Sequence, residues 1–73
     1  MTIHLSDEQG EALLRAASKS GYVTVVQDLL DAGVKASSYY GTAALIAEFY
    51  GHEEVVALLR EAMAKEEMRA HAS

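Results

Sequence analysis

Few side chains in this 73-residue sequence are spaced for chemistry. The histidines are His4, His52 and His71, far apart along the chain, and there is no cysteine. A zinc site needs three or four ligands that converge on one point. Glu53 and Glu54 follow His52, but consecutive residues on a helix point in different directions. The spacing therefore predicts no metal site.

Nucleophilic catalysis is not indicated either. Ser18, Ser20, Ser37 and Ser38 stand in no glycine-framed elbow that would present a nucleophile to its base. The five glycines occur singly, so no glycine-rich loop is present that could cradle a phosphate. We therefore expect no catalytic residue, no cofactor and no enzyme activity.

Charge and composition exclude several other classes of protein. The chain has 11 acidic and 6 basic residues, and its net charge of -5 repels nucleic acid. No apolar run reaches the roughly 18 residues of a membrane span, and the first residues lack the pattern of a signal peptide. We expect one small domain over residues 1–73, located in the cytoplasm, without nucleic-acid or membrane partners.

The aromatic residues are the strongest candidates for a function. Four of the five lie within twelve positions, as the pairs Tyr39–Tyr40 and Phe49–Tyr50, and Tyr22 is the fifth. Tyrosine and phenylalanine supply contact area at low conformational cost and are enriched at interfaces. The pairs form either the core of a small protein or a binding surface, and composition alone leaves both alternatives open.

Periodic apolar residues predict four helices that would position these aromatics. Ser6 and Gln9 form a capping box before the first helix, which ends at Gly21. The second helix runs from Val23 to Ala32, and Gly33 is expected at positive φ. Gly10, inside the first helix, is expected to tolerate alanine. Residues 34–41 are predicted to form a loop.

The second half of the chain continues the helical pattern. Thr42 is predicted to cap a third helix over residues 43–50, and Gly51 closes it. The fourth helix carries Val55, Val56 and Leu59 on one face, and residues 67–73 are expected to fray as a C-terminal tail.

The four helices read as one unit written twice. A shift of thirty positions aligns residues of the first half with identical residues of the second: Ala17 with Ala47, Gly21 with Gly51, Val25–Val26 with Val55–Val56, Leu29 with Leu59, and Ala32 with Ala62. A repeated helix–turn–helix unit is typical of a solenoid, in which each unit buries its face against a neighbour. The units are residues 8–36 and 41–66.

The second unit resembles the ankyrin repeat. Its sequence GTAALIAEFYGHEEVVALLREA follows the family pattern G-x-T-P-L-H-x-A-A-x-x-G-H-x-x-V-V-x-L-L, apart from one residue missing before Thr42. The first unit, GEALLRAASKSGYVTVVQDLLDAG, resembles an N-terminal capping repeat of that family. The resemblance implies that His52 bonds neighbouring backbone at its turn.

Three departures from the family pattern affect the expected fold. Ala43 replaces the proline and Leu45 the first histidine of the motif, and the period is shorter than the usual length of about 33 residues. The deficit falls between Ser38 and Thr42, where the family has a projecting finger. We therefore expect an all-α fold of two ankyrin-like helix–turn–helix repeats with a shortened finger loop.

The resemblance also implies where a partner would bind. Tyr39 and Tyr40 would lie at the finger tip. Lys19–Ser20 and Phe49–Tyr50 would occupy the variable positions of the inner helices, which line the concave face. Glu48 would add negative charge, suited to arginine or aliphatic anchors on the partner. The alternative is that Phe49 or Tyr50 packs inward.

The leading functional prediction is a non-catalytic module that binds another protein. A second is a small inhibitor or sequestering protein, of phage or bacterial type, that binds a protein or a nucleotide-like small molecule. A third is a self-assembling structural module. Two repeats leave apolar groups on their outer surfaces, so we expect a homodimer; the residues expected to mediate it are Leu13, Leu14, Leu58 and Met63.

Overall fold

The computed structural model describes the backbone of residues 7–71 and the side chains of residues 8–38 and 41–69. This part of the chain contains four helices and no strand: α1 (Asp7–Ser20), α2 (Val23–Asp31), α3 (Ser38–Phe49) and α4 (Glu53–His71). The predicted all-α class is confirmed. The capping residue Ser6 lies outside the described residues.

The helices form two layers around an alanine-rich core. Helix α1 packs against α2 and α3, and α4 packs against α3 and α2. One layer therefore contains α1 and α3, and the other contains α2 and α4. The buried apolar side chains are Leu14, Ala17, Val26, Leu29, Ala36, Ala43, Ala44, Ala47, Val55 and Leu59. Three of these, Ala43, Ala44 and Ala47, are alanines of α3.

The turns that join α1 to α2 and α3 to α4 have the same hydrogen bonds. In the first turn the N–H of Tyr22 donates to the carbonyl of Ala17, and that of Gly21 donates to Ser18. The equivalent bonds of the second turn lie thirty positions later, with His52 donating to Ala47 and Gly51 to Glu48. Both glycines have positive φ, so each helix ends in a Schellman motif.

The start of α3 differs from the prediction. Residues 34–41 were expected to form a loop before a Thr42 cap, but α3 already begins at Ser38. A contact between residues distant in sequence stands just before this start: Glu66 of α4 accepts hydrogen bonds from the N–H groups of Ala36 and Ser37 at 2.8 and 3.2 Å. This carboxylate satisfies backbone donors that precede the helix. Gly41, at φ 74°, interrupts the right-handed course of α3.

Helix α4 runs on into the C-terminal segment, as its lack of a terminating glycine indicates. Residues 67–73 were predicted to fray, whereas α4 continues to His71. Residues 61–71 are rich in alanine, glutamate, lysine, methionine and arginine, which are strong helix formers, and they contain no glycine or proline. Lys65 also pairs with Glu61 one turn earlier at 3.3 Å.

One further expectation about a single residue is wrong, and a second meets a close contact. Leu14, expected on an outer surface, is only 1% exposed and belongs to the core. Adjacent residues on a helix point about 100° apart, and it is Leu13 that faces outward. Gly10 is buried, and a Cβ there would lie 2.9 Å from a methyl group of Val34. Alanine at this position therefore requires Val34 to move.

Candidate partner-binding surface

The C-terminal half of α3 exposes three large apolar side chains. Leu45 is 61% exposed, Phe49 84% and Tyr50 48%. Leu45 and Phe49 are four residues apart, so they lie on the same face of the helix. Contiguous exposed apolar groups, unlike scattered ones, mark interaction sites. We call Leu45, Phe49 and Tyr50 the α3 apolar patch.

The rings at the end of α3 contact one another. Phe49 and Tyr50 meet edge to face, with centroids 5.2 Å apart and planes at 76°. Tyr50 lies nearly parallel to the ring of His52, at 6.5 Å and 13°. The patch therefore continues into the turn that joins α3 to α4.

His52 anchors this turn to the first helix. Its Nε2 lies 2.9 Å from the carbonyl oxygen of Lys19, within hydrogen-bonding distance. The ring passes directly over Gly21, where a Cβ would be 2.6 Å from Nδ1. The expected bond from His52 to neighbouring backbone is thus present. Because it joins two turns, it fixes Tyr50 and Lys19 relative to each other.

A positive charge lies near one of the aromatic rings. The Nζ of Lys19 lies 5.6 Å from the centroid of the Tyr50 ring, in cation–π range. Glu48, expected to give the surface its charge, is engaged by Arg60 of α4. The Nε of Arg15 lies 2.6 Å from the Oε1 of Glu11. The surface therefore differs from the acid-flanked face that the sequence indicated.

The predicted site residues fall into two groups. Lys19 and Ser20 are exposed at the end of α1, beside the α3 apolar patch. Tyr39 and Tyr40 belong by their backbone to the first turn of α3, whereas Phe49 ends the helix. The two aromatic pairs therefore stand at opposite ends of α3 in sequence, with Gly41 at positive φ between them. The side chains of Tyr39 and Tyr40 lie outside the described ones.

Two residues of this surface were missed by the sequence interpretation. Leu45 was considered only as a departure from the family motif, and His52 only as a turn residue. The spacing of Leu45 and Phe49 would have placed both on one face. The stacking of His52 on Tyr50 had no signal in the sequence, since it depends on how the turn closes.

A groove with a volume of about 1020 Å³ lies between α2 and α4. A second groove of about 480 Å³ adjoins it and shares Gln27, Leu58 and Glu61. Leu58 and Met63, expected on outer surfaces for self-association, line the larger groove. Both pack partly against the core. Acidic and basic side chains are mixed along this groove, which gives it no preference for one charge.

The described residues offer no metal site, because no three histidine or acidic side chains among them converge. Within the same residues, no helix is long and apolar enough to cross a membrane. His4 lies outside the described residues, and the side chain of His71 is not described either.

Comparisons with protein-family models, curated proteins and solved structures found no match to this chain.

Proposed function

We propose that this protein is a non-catalytic, ankyrin-like interaction module that binds another protein through the exposed face of the α1–α3 layer. The binding surface consists of Lys19, Ser20, Leu45, Glu48, Phe49 and Tyr50. The observation that carries the proposal is the exposure of Phe49, the only phenylalanine in the chain, beside two other apolar side chains.

The fold gains little from these side chains. Burial of a phenylalanine or leucine side chain contributes about 1.5–3 kcal/mol, and here that contribution is left for a partner. Aromatic residues at the centre of a patch, with polar residues around them, are typical of binding hot spots. Lys19, Ser20 and Glu48 would form such a polar rim.

The charges favour a partner with an apolar anchor next to a carboxylate. An aliphatic or aromatic side chain of the partner would pack on Leu45 and Phe49. Its carboxylate would pair with Lys19, whose ammonium group is held over Tyr50. Glu48 contributes less attraction for a cation than the sequence indicated, since Arg60 already pairs with it.

A protein partner is also favoured over a nucleotide-like small molecule. Phe49 and Tyr50 meet edge to face, so the two rings cannot both stack flat on one base. A protein side chain of irregular shape fits the angle between them better than a planar ring does.

The ankyrin-like part of the proposal is supported by the equivalent turns. Four backbone hydrogen bonds of the first turn recur thirty positions later in the second. The inner helices α1 and α3 lie side by side, as do the outer helices α2 and α4. This is the arrangement expected of two stacked helix–turn–helix units.

Site-specific photo-crosslinking tests the proposal. A photoreactive phenylalanine analogue replaces Phe49 in one variant and Asp28, exposed on the opposite layer, in the control variant. We expect one protein to be captured from cells that make this chain by the Phe49 variant and not by the Asp28 variant. That protein is then purified, and its binding to the unmodified chain is measured. Equal capture at both positions, or no binding by the purified protein, would contradict the proposal.

A further inference from the structure

The first hairpin, α1–α2, exposes apolar side chains at positions that are buried in the second hairpin, α3–α4. Leu13 is 47% exposed and Val25 is 44% exposed. Their equivalents thirty positions later, Ala43 and Val55, belong to the core. Ala43 and Val55 are covered because α3 and α4 pack against the first hairpin. Leu13 and Val25 therefore mark the side on which a preceding hairpin would pack, and we call them the N-terminal end.

The opposite end of the molecule has a different chemistry. Ser18 and Val26 of the first hairpin are fully buried. Of their equivalents in the second hairpin, Glu48 is exposed and Val56 is half-buried. This difference in burial marks the side of the second hairpin that would face a third hairpin. Arg60 pairs with Glu48 across this side. Its equivalent in the first hairpin is the apolar Leu30, so the C-terminal end carries charges where the internal contact has none.

We propose that two copies of the protein associate through their N-terminal ends, around a two-fold axis, with Leu13 and Val25 at the centre of the contact. The chain itself shows that a helical hairpin covers these positions: on the second hairpin Ala43 and Val55 are buried against the opposite side of the first hairpin. This inference goes beyond the proposed function, since it concerns a different surface from the α3 apolar patch.

The difference between the two ends selects the symmetry of the contact. In a head-to-tail stack, Leu13 and Val25 would cover the Glu48–Arg60 pair and remove both charges from water, which is costly. In the two-fold arrangement apolar groups cover apolar groups and the ion pair stays hydrated. A two-fold contact is also closed, so assembly stops at the dimer, whereas a head-to-tail contact continues into a filament.

Sedimentation equilibrium over a wide concentration range tests this inference with a matched pair of variants. Leu13→Glu places a charge in the contact, and Leu45→Glu places the same charge on the exposed face of α3. We expect the unmodified chain and Leu45→Glu to reach the mass of a dimer and no more. For Leu13→Glu we expect the dissociation constant to rise by about tenfold or more. Circular dichroism verifies that both variants stay helical.

A charge-pairing experiment separates the two-fold contact from other arrangements. Leu13→Glu and Leu13→Lys are each expected to dimerise at least about tenfold more weakly than the unmodified chain, and their mixture is expected to form a heterodimer more tightly than either forms a homodimer, because the two side chains meet across the axis. The inference is overturned if the unmodified chain stays monomeric or assembles beyond the dimer. It is also overturned if Leu45→Glu weakens the dimer as much as Leu13→Glu, or if the mixture fails to associate.

Discussion

The two hairpins of this protein have closely similar turns and very different surfaces. Gly21 and Gly51 end their helices with the same hydrogen bonds. On the inner helices, however, the exposed Lys19 of the first hairpin corresponds to the exposed Phe49 of the second. Backbone geometry is thus reproduced while surface chemistry changes. Where equivalent exposed positions carry different residues in the two hairpins, the fold does not require either residue. Such positions are the candidates for a role in function.

Burial differs between the hairpins for a physical reason. Each hairpin has a neighbour on one side only, so an apolar position that is covered in one hairpin is open in the other. Val25 and Val55 differ in this way. The identity of a residue therefore predicts its burial only when the elements that pack against it are known.

The largest effect is expected from the core leucine of the first hairpin. Leu14 corresponds to Ala44 of the second, so Leu14→Ala makes the two hairpins alike and leaves a cavity. We expect the free energy of unfolding to fall by about 2–5 kcal/mol, which approaches the whole stability of a domain of this size. Leu13→Ala is the control, with an expected change within about 0.5 kcal/mol. Urea unfolding of dilute protein measures both; similar losses would refute the assigned orientation of α1.

The second-largest loss of stability is expected from substitution of the two turn glycines, Gly21 and Gly51. Both have positive φ, but only at Gly21 would a Cβ collide with the ring of His52. Gly51→Ala is expected to cost about 1–2 kcal/mol of backbone strain. Gly21→Ala adds the loss of the His52 bond to Lys19, for a total of about 2–3 kcal/mol. If thermal unfolding shifts both variants equally, the contact between the two turns does not contribute to stability.

A smaller effect is expected from the carboxylate that holds the start of α3. Glu66→Ala removes the acceptor of two backbone N–H groups and is expected to cost about 1–2 kcal/mol. The neighbouring Glu67 is exposed, and Glu67→Ala should leave stability almost unchanged. Hydrogen exchange at Ala36 and Ser37 reports the cap directly. Unchanged protection of these two amides in Glu66→Ala would contradict its assigned role.

The sequence predicted those features that depend on residues close to one another along the chain. The helix ends at Gly21, Gly33 and Gly51 follow from local hydrogen bonds and positive φ, and they were placed correctly within one residue. The start of α3 was missed because its cap, Glu66, is supplied by another helix. The contact of Gly10 with Val34 likewise joins distant parts of the chain.

The candidate surface was only partly predictable from the sequence. The family resemblance indicated Phe49 and Tyr50 as surface residues but left inward packing open, because the sequence does not state which side of α3 has a neighbour. The position of the Lys19 ammonium over Tyr50 depends on the approach of α1 to the α3–α4 turn. Charge complementarity of the surface could therefore be assigned only from the structure.

The measurement closest to the central claim combines binding and folding in one variant. Phe49→Ser with Tyr50→Ser removes the two rings of the α3 apolar patch, which contribute little to the core. We expect the circular dichroism spectrum and the midpoint of thermal unfolding to stay close to those of the unmodified chain. We also expect the affinity for the purified crosslinked partner, measured by calorimetry, to fall by at least about a hundredfold, the equivalent of about 2.7 kcal/mol. Retained affinity, or loss of the helical signal, would contradict the assignment of this face as a binding surface that the fold does not require.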